Sequence, residues 1–202
     1  MSWVYHMITN EIAGHTLEYY DEDHLYICDG VVVPSITQIL KVKFGNKYNR
    51  VSGAVLSRAA EKGTAVHEAI QNYCERGEES DLIELRGFKF LQKQYKFEVL
   101  QNEVPVILFK NDIPVAAGRL DLVLEIDGKI GLADIKRTAT LDKEYLAYQL
   151  NLYRIAYQQC YGKHIQFLRG LHLREDTRRF VDIPINEERA LELVKEYERT
   201  KQ

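Results

Sequence analysis

A chain of 202 residues is long enough to fold as one domain around a sizeable core, and with 46% apolar and 28% charged residues it is not a disordered polymer. A net charge of −3 excludes a protein that coats nucleic acid through a global cationic excess. It does not exclude an enzyme that grips a short piece of backbone through a metal and a local basic patch.

The first 51 residues read as β-rich. His15 to Tyr20, His24 to Cys28 and Val31 to Val33 are strand-forming runs, punctuated by the acidic turn Asp21-Glu22-Asp23 and the Asp29-Gly30 turn. Pro34 ends the last run, and Ser35 is the expected N-cap of a helix over Ile36 to Leu40. Lys41, Lys43, Lys47 and Arg50 follow in a stretch bearing Gly and Asn and no acid. Ser52 to Arg76 has helical spacing, with a break or close-packing point expected at Gly63. A second helix is predicted over Leu82 to Phe97. Val99 to Phe109, Val115 to Ile126 and Ile130 to Ile135 then read as three strands joined by tight turns, an antiparallel meander. A helix over Glu144 to Tyr161, strands at Ile165 to Arg174 and Phe180 to Ile183, and a final helix capped by Asn186 complete the chain. The expectation is one three-layer α/β domain: a β-rich extension and basic stretch (1–51), a core (52–174), and a C-terminal strand and helix (175–202).

No apolar run reaches membrane-spanning length. Met1 to Asn10 lacks a basic region followed by an apolar stretch, so no signal peptide is expected. Cys28, Cys74 and Cys160 are spaced neither as a disulfide framework nor as zinc or iron–sulfur ligands. A cytoplasmic setting, away from membranes, is the simplest expectation.

The chemistry concentrates in Gly118-Arg-Leu-Asp121 and, one strand later, Asp134-Ile-Lys136. Neighbouring strands of a meander can bring both carboxylates to one end of a sheet, and residues two apart on a strand share a face. Two carboxylates that close repel, and a divalent cation relieves the repulsion. Oxygen ligands and a phosphate substrate favour Mg²⁺ or Mn²⁺. A lysine beside them can orient water and stabilise charge growing on a phosphate. Alone, an Asp-x-Lys triplet is equally a solvated turn flanked by charges. His67 on a helix, Glu103 in an apolar strand, and Gln149 with Tyr153 on one helical face each have a bland structural reading as well.

In order, the helical His67, the G-x-x-D strand ending at Asp121, the D-x-K strand of Asp134 and Lys136, and the Q-x-x-x-Y helix of Gln149 and Tyr153 resemble the RecB-like, phage-type exonuclease branch of the PD-(D/E)XK nuclease superfamily. Pro34-Ser-Ile-Thr-Gln-Ile-Leu40 is similar to a P-S-x-T-x-I-L stretch that opens several exonucleases of that group. The resemblance implies a restriction-endonuclease-like three-layer core (helix, three-stranded antiparallel meander, helix, strand) with an N-terminal β-hairpin extension and a C-terminal helix. It implies His67, Asp121, Asp134 and the backbone carbonyl of Ile135 as ligands of one or two Mg²⁺ or Mn²⁺ ions, with Glu103 helping to hold the metal or its waters. Lys136 would position the attacking water or stabilise the transition state, and Gln149 and Tyr153 would orient that lysine or contact a phosphate. Relatives that carry an iron–sulfur cluster hold it with a cysteine set that three scattered cysteines do not supply, so none is expected. The implied activity is Mg²⁺-dependent DNA hydrolysis, as an exonuclease in recombination or repair.

Lys41, Lys43, Lys47, Arg50, Arg58, Arg137, Arg178 and Arg179 are candidate phosphate contacts, and Tyr48 a candidate for stacking on an unpaired base. DNA is the expected partner. A second copy of the chain, or a single-strand-annealing or replication protein, remains open as a further one. Three other readings also stay open: an endonuclease on the same core, a silent nuclease-like module that binds DNA or protein, and a metalloenzyme acting on another phosphate ester.

Overall fold

The computed structural model describes residues 7–20, 24–45 and 53–201, with the backbone alone described at 54–56. The described residues open with β1 (Met7–Ile12), β2 (His15–Tyr20), β3 (Leu25–Cys28) and β4 (Val31–Val33), each antiparallel to the one before it. Two of the turns, Ala13-Gly14 and Asp29-Gly30, hold positive φ at both positions (53° and 82°, 49° and 78°), the backbone that lets a two-residue turn match the twist of its strands. The expected N-terminal β-hairpin extension is therefore a four-stranded sheet. Its first strand was hidden because Met7–Ile12 is mostly exposed and lacks the alternation that marks a half-buried strand. The acidic turn at 21–23 lies outside the described residues.

Ser35 caps α1 (Ile36–Phe44) as its sequence predicts: its hydroxyl accepts from Gln38 N at 3.1 Å while Gln38 Oε1 accepts from Ser35 N at 2.9 Å. The helix runs past Leu40, so Lys41 and Lys43 ride on its last turn rather than in a loop. Next comes α2 (Gly53–Arg76), an uninterrupted helix. The break expected at Gly63 does not occur, and no close packing replaces it, since a Cβ built there meets nothing within 4 Å. After α3 (Ile83–Tyr95), the meander of β5 (Glu98–Lys110), β6 (Ile113–Ile126) and β7 (Lys129–Lys136) forms as predicted. Asp142 caps α4 (Lys143–Tyr161), a crossover that returns the chain to β8 (Phe167–Leu173) parallel to β7. β9 (Arg178–Ile183) adds antiparallel at the edge, and α5 (Glu187–Arg199) closes the chain.

The result is a mixed α/β protein with two sheets and, among the described residues, five helices. The larger sheet, in order β5-β6-β7-β8-β9, buries both faces. Leu122, Ala133, Ile135 and Leu171 pack against Val66 and Ile70 of α2 and Phe88 and Leu91 of α3. On the other face Val123, Leu132 and Leu168 meet Ile39 of α1, Leu146 and Leu150 of α4 and Leu193 of α5. Leu122 against Val123, and Leu132 against Ala133, show the period of two sending neighbours to opposite layers. The smaller sheet lays Leu17, Cys28 and Val33 over Ile107 and Ala117. It is stitched to β6 where Ala117 N donates to Pro34 O at 3.0 Å. No helix among the described residues is long and apolar enough to cross a membrane.

Gly118 is needed for contact rather than for backbone freedom. A Cβ there would stand 2.8 Å from Cε1 and 3.2 Å from the hydroxyl of Tyr153. Tyr153 is buried in α4, so its ring has little room to yield. Gly118→Ala should destabilise the chain by about 1–3 kcal/mol, the usual result of overpacking a filled core. Urea unfolding measures it, and an unchanged midpoint would mean that the ring swings aside freely.

Candidate metal centre

Strand register builds this site. The pairs Asn102↔Leu122 and Leu122↔Ala133, with Val104↔Leu120 beyond them, bracket a row in which Glu103 of β5, Asp121 of β6 and Asp134 of β7 stand side by side. Glu103 holds a left-handed backbone at φ 47°, uncommon for a residue with a side chain and characteristic of functional positions. Arg119, two residues before Asp121, grips it with Nε 2.8 Å from Glu103 Oε2.

His67 reaches the row from α2. Its Nδ1 lies 3.4 Å from Glu103 Oε1 and 3.7 Å from Asp121 Oδ1, and its Nε2 lies 3.3 Å from the carbonyl oxygen of Ile135. Asp121 Oδ2 accepts from Ile135 N at 2.7 Å, which fixes the carboxylate and leaves Oδ1 facing the histidine. Asp134 and Lys136, two apart on β7, share a face as predicted, with Lys136 Nζ 2.5 Å from Asp134 Oδ2. That oxygen is buried and has no hydrogen bond of good direction despite the contact. Ligand atoms of His67, Glu103 and Asp121 all lie within 4.8 Å of one another.

The electrostatics describe crowded acids, each held beside a cation. Burial pushes Asp134 up to about 6, with the Asp121 charge adding to the shift and Lys136 opposing it. Burial likewise raises Asp121, against the pull of His67 and Lys136. Burial would lower His67, but Asp121, Glu103 and Asp134 outweigh it and hold the imidazole at about 9. Lys136 follows the same pattern: desolvation opposes its charge, and Asp134 and Asp121 restore it with a raised value. A protonated His67 and the Lys136 ammonium are thus counter-ions for the carboxylates. The donor set suits a divalent cation: two or three carboxylates, a backbone carbonyl, one imidazole, and a buried carboxylate oxygen still without a well-directed donor.

The other candidates fall in different places. Gln149 is buried with Oε1 unpartnered, and with Lys136, Thr37, Thr138 and Tyr145 it lines a cavity of about 250 Å³ that Glu103, Asp121 and Asp134 do not border. Tyr153 is packed in the core against Gly118 rather than presented to a phosphate. Arg137 is committed to buried Glu84 at 2.6 Å and to Glu175 at 2.5 Å, so it belongs to the support of the site rather than to a free basic patch. Lys43 lies 3.6 Å from Glu144, and with Lys41 it is exposed on the last turn of α1. Arg178 stacks over Phe90 at 4.7 Å, while Arg179 is exposed on edge strand β9 and Arg58 is exposed on α2. Lys47, Tyr48 and Arg50 lie outside the described residues. A larger hollow, about 460 Å³ between β4, α1 and α5, touches none of the acids.

Sequence reasoning missed Arg119 and the Glu84–Arg137 pair. Arg119 had a signal, since it lies between Gly118 and Asp121 on a strand whose register faces Glu103. Glu84 had none: a charged residue in the first turn of a helix reads as a solvated cap.

No family model matches this chain, and no curated protein does. Among solved structures, it is similar to that of SSO0001, at 14% identity and a TM-score of 0.49, over 84% of this chain and 77% of that one.

The raised values fix a sign. A group that binds its proton more tightly folded than unfolded stabilises the fold at low pH and loses that contribution as pH rises through its folded value. In chelator, stability should fall through about pH 6 as Asp134 ionises, and again towards about 9 as His67 loses its proton. Thermal melts of wild type beside Asp134→Asn and His67→Ala check this. Each variant should flatten its own step, and parallel curves would refute the assignment.

Proposed function

We propose that the chain is a divalent-metal-dependent DNA nuclease with a PD-(D/E)XK restriction-endonuclease-like core, most simply an exonuclease. The observation that carries this reading is the convergence of His67, Glu103, Asp121, Asp134, the Ile135 carbonyl and Lys136 on neighbouring strands and one helix. Acids placed so close, with a lysine at their edge, suit a phosphodiester better than a neutral substrate.

His67, Asp121, Asp134 and the Ile135 carbonyl would hold Mg²⁺ or Mn²⁺, with Glu103 beside them, and the ion would supply Lewis acidity towards a phosphate oxygen and a water. The imidazole must give up its proton to bind, which sets the metal in competition with protons. Lys136, kept as an ammonium by Asp134 and Asp121, serves as a donor to the phosphate rather than as a base. Arg119 aims Glu103, and the backbone N–H of Ile135 aims Asp121. Gln149, with its unpartnered oxygen, stands where it can orient the lysine or a water in the adjoining cavity.

Lys136→Ala should retain Mn²⁺ binding by calorimetry and lose at least ~100-fold in cleavage rate, the scale for removing one charge-stabilising donor. Asp121→Asn should lose both. End-labelled linear DNA digested beside a closed circle with Mg²⁺, Mn²⁺ or chelator tests the activity itself. Metal-dependent loss of the linear form alone fits the exonuclease. Cutting of the circle moves the reading to an endonuclease, and no cleavage of either defeats it in favour of a silent binding module or another phosphate ester.

A further inference from the structure

A second group of metal-ligating side chains stands away from the acidic row, in the N-terminal sheet. His15 opens β2, Cys28 ends β3, and Asp29 begins the turn after it. Leu17 pairs with Cys28 across the strands, so His15, two residues before Leu17, shares its face with the cysteine. The imidazole Nδ1 lies 2.6 Å from Asp29 Oδ2, and the ligand atoms of all three residues lie within 4.8 Å of one another. Asp29 is held for this contact: its other oxygen accepts from Thr16 N at 2.9 Å, its own N–H donates to Thr16 O at 3.0 Å, and its φ is 49°.

We propose that His15 Nδ1, Cys28 Sγ and Asp29 Oδ2 form a zinc site. A soft thiolate and an imidazole, with one carboxylate, form a mixed donor set that favours Zn²⁺ over Mg²⁺, which sets this site apart from the acidic row by chemistry as well as by place. With Zn–N near 2.0 Å and Zn–S near 2.3 Å, tetrahedral ligands stand roughly 3–4 Å apart. The cluster needs only a modest closure of the sulfur and a small opening of the His15–Asp29 pair. Access is from the His15 side, where the imidazole borders a surface hollow of about 360 Å³ shared with Asn111 and Asp112, and Asp29 is itself exposed. Cys28 itself is buried, and desolvation holds its thiol protonated without metal. Zinc would displace that proton, so affinity should fall as pH is lowered. The ion would fasten the Asp29-Gly30 turn to β2 over the ring of Phe109, whose centroid is 5.0 Å from that of His15.

Cobalt reads out the sulfur directly. The full chain, stripped with chelator and titrated with Co²⁺, should show one equivalent giving a thiolate-to-metal charge-transfer band in the near ultraviolet. Zn²⁺ should erase that band. It should be lost in Cys28→Ser and weakened at least ~10-fold in affinity by Asp29→Asn, at an exposed position, and by His15→Gln, at a partly exposed one, both of which spare the core if the serine variant folds poorly. Asp121→Asn should leave it intact. A wild-type chain that binds cobalt without a sulfur band, or a band that survives Cys28→Ser, overturns the site.

Discussion

Carboxylates that cannot leave one another's company set the terms for the rest of this molecule. Glu103, Asp121 and Asp134 occupy one row because β5 and β6 keep one register from Gln101 to Leu108 and β7 pairs beside them, and a slip by one residue would turn each of them to the opposite face. Both faces of that sheet are buried, so the register is pinned by Leu122, Val123, Leu132 and Ala133 directly beside the acids. Apolar packing therefore supplies the work of holding like charges together. The site answers with charges of its own, His67 from one layer and Lys136 from the strand itself.

Each support has an identifiable physical task. Tyr153 closes over Gly118, which lets α4 approach β6 near Asp121 and carries Gln149 on the same helix to the edge of the cavity. Arg119 and the Ile135 N–H fix two carboxylates from behind, leaving an oxygen of each turned towards His67. Glu84, almost wholly buried at the start of α3, pairs with Arg137 just beyond Lys136 and so anchors the end of β7 to the layer that carries α2 and α3. A buried pair of this kind gains less in stability than in definition, since removing either partner strands the other charge. Here that definition falls one residue from the lysine.

How much of this was legible in the sequence follows from how local each feature is. The meander, the N-caps at Ser35 and Asn186 and the shared face of Asp134 and Lys136 depend on residues a few positions apart, and pattern reasoning reached them. The row itself was legible in outline because tight turns leave consecutive strands few registers. β1 was not, being an exposed strand whose neighbours, rather than its own alternation, make it one. Nor were the partners of Arg137, because Glu84 and Glu175 arrive from 53 and 38 residues away. The cysteines teach the same lesson. Cys28 looks solitary when cysteines alone are counted, yet the turn that follows it brings up Asp29, and the paired strand brings up His15.

The modest negative charge of the whole chain is compatible with a nucleic-acid substrate once its distribution is considered. The cations nearest the acids are mostly spoken for: Arg119 by Glu103, Arg137 by Glu84 and Glu175, Lys136 by Asp134. A phosphate approaching this edge without a metal would meet a carboxylate row whose counter-ions are already engaged. On the proposed reading, a divalent cation held by His67, Asp121 and Asp134 would supply positive charge to that row, and His67 would have to bind it as the neutral imidazole. The metal would then do more than activate water. It would add positive charge where a phosphate must approach, so that affinity for substrate and capacity for chemistry would arise together from one binding event.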